Sequence, residues 1–106
     1  VLGTEYTVEI KNEKEDEFLI DIDGYCDKTT HKIVVCDKGD DCQLGDFEAY
    51  QKKIMRHEII HAFLFESGLA ENFEHAKQFG HDETMIDWIA IQFPKMLQAF
   101  KEAECI

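Results

Sequence analysis

At Asp46 the spacing of apolar residues changes, and no single kind of secondary structure satisfies both sides of the change. Before it, residues 6–10 and 18–22 carry apolar side chains at alternate places, and residues 31–36 contain the β-branched run Ile33, Val34, Val35, which is the pattern of strands. After it, Phe47, Tyr50, Ile54, His57, His61 and Leu64 recur every three or four residues, as one face of a helix requires. The chain therefore reads as α+β, with three or four short strands first and helices after. Its 106 residues suffice for one domain, 1–106, around one core.

Turn chemistry punctuates this plan. Residues 12–17 form a charged turn, Asp23-Gly24 a second, and residues 27–30 a hairpin connection whose first arm begins at Tyr25-Cys26. The acidic stretch 37–45 has few groups able to enter a core and reads as a loop. Asp46 suits the N-cap of the first helix and Gly68 the position after its end. Residues 69–80 fit either a loop or a short helix. A second helix runs from about Asp82, with Met85, Trp88, Ile89, Gln92 and Phe93 along one side, until Pro94 interrupts its ladder; residues 95–103 continue it after a kink. Phe63, Phe65, Phe73, Phe79, Trp88, Phe93 and Phe100 are the expected core aromatics, and Ile54, Ile59, Ile60, Phe63 and Leu64 the expected buried side of the first helix.

A formal charge of −12 repels phosphate backbones and anionic lipid, so nucleic acid and membrane surfaces are poor partners. No apolar run approaches the roughly 20 residues of a bilayer span, and the opening segment lacks the basic and apolar regions of a signal peptide, which points to the cytoplasm. Cys26, Cys36, Cys42 and Cys105 form no CxxC pair, so neither a zinc ribbon nor a thioredoxin-type site is indicated. Cys26 and Cys36 could face each other across a hairpin, but free thiols are expected in a reducing compartment. None of the four has a motif supporting a nucleophilic thiol.

The segment His57-Glu58-Ile59-Ile60-His61 places two imidazoles four residues apart on one helical face. That spacing lets both rings reach one tetrahedral Zn²⁺, with Glu58 beside them as general base toward a water. A catalytic zinc needs a third protein ligand. Glu83, in Glu83-Thr84-Met85-Ile86-Asp87, is the expected one, with Asp87 one turn later accepting the free N–H of a metal-bound imidazole. His81 and Asp82 adjoin Glu83 and are alternatives for the third position. Two histidines, one carboxylate and an open fourth position make a catalytic pattern.

HExxH followed by ExxxD closely resembles the gluzincin arrangement, and the small size resembles the ImmA/IrrE-like minimal metallopeptidases of phages and mobile elements. The resemblance covers residues 46–93. It implies a small zincin-like domain, with an N-terminal three- or four-stranded, mainly antiparallel sheet packed on the HExxH helix and a second, C-terminal ligand-bearing helix. It also implies a zinc-dependent endopeptidase acting on a protein or peptide, with His57, His61, Glu83 and Asp87 at the metal and Glu58 as the base. By analogy with zincins, residues 32–36 are the expected edge strand for an extended substrate. A metzincin would need Gly where Leu64 stands and His where Ser67 stands. The alternatives in other function classes are a zinc-stabilised interaction module without turnover and a helical adaptor whose HExxH is coincidental. His31 and His75 lack spaced partners and read as surface residues.

Overall fold

The computed structural model describes residues 1–37, 45–67 and 82–106. Its elements are β1 (Thr7–Lys11), a 3₁₀ turn (Glu17–Leu19), β2 (Gly24–Asp27), β3 (Lys32–Cys36), α1 (Phe47–Glu66) and α2 (Glu83–Glu102). The fold is α+β: a three-stranded sheet with two helices. His75, His81, Phe73, Phe79, Gly68 and Cys42, together with the loop-or-helix question over 69–80, lie outside the described residues.

The sheet is mixed, where a mainly antiparallel one was expected. Its order is β1-β3-β2, with β1 parallel to β3 and β2 antiparallel to it. The hairpin between β2 and β3 is as read from the sequence: Asp27 Oδ1 accepts from the Thr29 N–H at 2.9 Å, and His31 turns the chain with φ of 54°. β3 is therefore the central strand and not the edge, which corrects the expectation for residues 32–36. A strand paired on both sides and covered on both faces reads as a continuous apolar run, and Ile33, Val34 and Val35 are all within 1% of full burial. Cys26 is in register with Ile33 and Cys36 with Lys11, so the two thiols do not meet; both are free, as is Cys105.

Residues 18–22 do not form a strand. Asp16 caps the 3₁₀ turn by accepting from the Phe18 N–H at 3.0 Å, and Asp21, with φ of 69°, ends any extended run. Only Leu19 of this segment is buried, while Phe18, Ile20 and Ile22 are exposed.

Both helices start where their caps dictate. The Asp46 carboxylate accepts from the Ala49 N–H at 3.0 Å, and Asp82 accepts from Thr84 and Met85 at 3.0 and 3.2 Å. The buried stripe of α1 is Ile54, Glu58 and Ala62, one residue round from His57 and His61. It packs over β2 and β3, where Ile33, Val35, Ile54 and Ala62 form the core cluster. At Gly24 a Cβ would stand 3.0 Å from Ile54 Cγ2 and 3.0 Å from Val34 O, so β2 lies closer to α1 than a residue with a Cβ could without its neighbours shifting.

The aromatic core expected from the sequence is not the core of the described residues. Phe63, Trp88, Phe93 and Phe100 are exposed, and α2 buries Ile86 and Ala90 instead. Glu83, Ile86, Asp87 and Ala90 share the helical side turned to α1, where small and polar residues admit close approach. The helix continues past Pro94 as expected, α2 running through it to Glu102.

Candidate metal centre

His57 and His61 stand one turn apart on α1, their ring centroids 5.0 Å from each other. Glu83, at the first position of α2, meets both. Its Oε2 lies 2.9 Å from His57 Nε2 and its Oε1 lies 3.0 Å from His61 Nε2. Ligand atoms of the three residues all fall within 4.8 Å of one another. The imidazoles are recessed, with 14% and 11% side-chain exposure, whereas Glu83 keeps 65% and faces the solvent. A group held among them is therefore gripped from below and reachable from outside.

Asp82, the adjacent alternative, spends Oδ1 on two backbone N–H groups as the N-cap of α2. Its role at the helix start fixes the phase in which Glu83 follows. Asp87 comes to His57 as the spacing suggested, with Oδ1 3.3 Å from Nδ1. The two atoms are close, although Nδ1 is buried without an aligned hydrogen bond. The same oxygen receives Lys53 Nζ at 3.2 Å. Burial pushes the Asp87 carboxyl up, but Lys53 and His57 outweigh it and hold the group below its ordinary range. Lys53 was not singled out by sequence reasoning; its place one turn before His57 on the same helix was the available signal.

These contacts bear on whether a cation fits. A carboxylate only accepts hydrogen bonds, and His57 lies between two of them, Glu83 at Nε2 and Asp87 at Nδ1. A neutral ring has one N–H, so one of its nitrogens must turn a lone pair toward a carboxylate. A divalent cation among both Nε2 atoms and Glu83, with the Nδ1 proton toward Asp87, resolves that conflict, and two imidazoles with one carboxylate suit zinc. The residues present fit the metal.

Glu58 occupies the middle of the buried stripe at 8% exposure, facing β2 beside Gly24. Its carboxylate makes no hydrogen bond among the described residues. Burial pushes its pKa up to about 7; His57 opposes the shift and Glu83 adds to it. A carboxyl balanced near neutrality is suited to taking a proton and returning it. Cys26, on β2, is pushed the wrong way for a nucleophile: burial first, then the charges of Glu58, Asp27 and Glu66, raise its thiol to about 11.

His31 stands apart, with Nε2 4.0 Å from Glu66 on the far end of α1. Glu66 also accepts from Thr4 at 2.8 Å and Tyr6 at 2.7 Å, tying the N-terminal segment to the helix. No helix among the described residues is long and apolar enough to cross a membrane. No family model, no curated protein and no solved structure matches the chain.

Proposed function

We propose that this chain is a zinc-dependent endopeptidase of gluzincin type, akin to the ImmA/IrrE-like group, built on a minimal zincin-like α+β domain. The observation that carries the reading is the meeting of His57, His61 and Glu83, from two separate helices, at 2.9 and 3.0 Å. His57, His61 and Glu83 would hold the zinc, which would supply an acidified water and polarisation of a carbonyl oxygen. The remaining work belongs to the chain. Asp87 fixes the tautomer and orientation of His57, and Lys53 holds Asp87. Glu58 takes the proton from the attacking water and returns it to the departing amine.

A protein or peptide substrate would extend along β2, which has no second strand beside it among the described residues and lies against the turn of α1 bearing Glu58. The charge of −12 favours neutral or basic peptides over nucleic acid or anionic lipid. The three free thiols among the described residues, Cys26, Cys36 and Cys105, accord with a reducing cytoplasm.

The test is hydrolysis of an unfolded, dye-labelled protein by the zinc-loaded chain and by Glu58→Gln. Expected is a loss of about 10²–10⁴-fold in kcat/KM with one zinc retained. A zinc-loaded chain that cleaves nothing, with Glu58→Gln indistinguishable from it, would instead make this a zinc-stabilised interaction module.

A further inference from the structure

Pro94 lies inside α2 and has no N–H to give to the carbonyl four residues earlier, that of Ala90. That carbonyl belongs to a fully buried residue, so water is a poor substitute. The missing donor comes from the other helix: Arg56 Nε donates to Ala90 O at 2.6 Å. Arg56 immediately precedes His57, and Ala90 lies one turn beyond Asp87 on the side of α2 that faces α1.

We infer that Arg56 is a positioning residue, which uses the carbonyl opened by Pro94 to set the register of α2 on α1 and so brings Glu83 and Asp87 to the histidines. In a regular helix each interior carbonyl already accepts from its own ladder, so one left without that donor is the stronger acceptor for a neighbour. Pro94 creates one such acceptor at a single height along α2, and the guanidinium can dock there and not one turn up or down. Sliding α2 by a turn would carry Glu83 about 5.4 Å from the imidazoles, far beyond the 2.9 and 3.0 Å contacts observed. The positioning is a statement about the metal-free protein; its effect on zinc rests on the function proposed above.

Removing Arg56 alone confounds register with an unsatisfied carbonyl, and a second substitution separates them. In P94A the residue at 94 regains an N–H for Ala90 O, so the double variant R56M/P94A has an intact ladder but no pin. Three readouts on the full chain decide the matter: the melting temperature, the nuclear Overhauser contact between the His57 ring and the Glu83 methylene protons in metal-free protein, and zinc affinity by chelator competition. Expected are a lowered melting temperature in R56M and its recovery in R56M/P94A. The double variant nonetheless loses the His57–Glu83 contact and binds zinc at least about tenfold more weakly. R56K, which keeps a donor, retains the contact. A recovered double variant with the contact and the affinity of the native chain overturns the inference, as does a folded R56K that has lost the contact. Native protein that binds no zinc refutes the metal reading alone, and the Overhauser contact still decides the role of Arg56.

Discussion

At the scale of single residues, Glu58 is held well away from the behaviour of an ordinary carboxyl. The heptad-like spacing that puts the histidines on one face puts Glu58 between Ile54 and Ala62 on the next, where the sheet covers it. Its folded pKa of about 7 exceeds the ordinary 4.5. The folded chain thus holds a proton that the unfolded chain has released, and the sign follows: the contribution to stability is complete below pH 4.5 and is lost as pH rises through about 7. In metal-free protein Glu58→Gln should remove this slope, on the order of 3 kcal/mol across the window, as measured by urea unfolding at several pH values. The three residues proposed to hold zinc give a second expectation. Native protein should bind one zinc, and His57→Ala, His61→Ala and Glu83→Ala should each lose it, read by metal analysis after dialysis. Asp87→Asn should weaken the affinity about 10–100-fold without abolishing binding.

At the scale of elements, the helices and the β2–β3 hairpin were legible because their determinants are local: caps at Asp46 and Asp82, a three-and-four spacing, and a turn at residues 27–30. The pairing of β1 was not legible. An alternating run says which residues share a face but not which strand lies beside it, and β1 reaches the far edge of β3 across the whole hairpin. Residues 18–22 misled for a related reason, since alternation survives in a segment that Asp16 and Asp21 divert from extension. That His57, His61 and Glu83 could come together was legible in their spacing, with His81, an alternative to Glu83, outside the described residues; Arg56 was not legible, although an interior proline always raises the question of who replaces its N–H. The close approach of β2 to α1 also belongs here. Gly24→Ala would press a methyl into Ile54 and the Val34 carbonyl and should cost about 1–3 kcal/mol in chemical denaturation.

For the whole molecule, charge sets the terms. Twenty-three acidic residues against eleven basic ones give −12 on a 106-residue chain, and such self-repulsion opposes the compact state. The melting temperature should therefore rise as sodium chloride is increased from low to near-molar concentrations, because screening shortens the reach of that repulsion. Zinc should raise it further and at low concentration, by about 2.7 kcal/mol of stabilisation at a hundredfold excess over Kd. Calorimetry with sodium chloride, with zinc and with magnesium separates specific binding from screening.

The capping of α2 has a consequence for descent. Asp82 begins the helix and Glu83 follows at once, so the direction in which the glutamate turns is decided by its immediate neighbour and not by its distance in the chain from His61. In diverging lineages the dipeptide Asp-Glu should be inherited as a unit, with an aspartate four places on, while the interval that separates it from the paired histidines drifts.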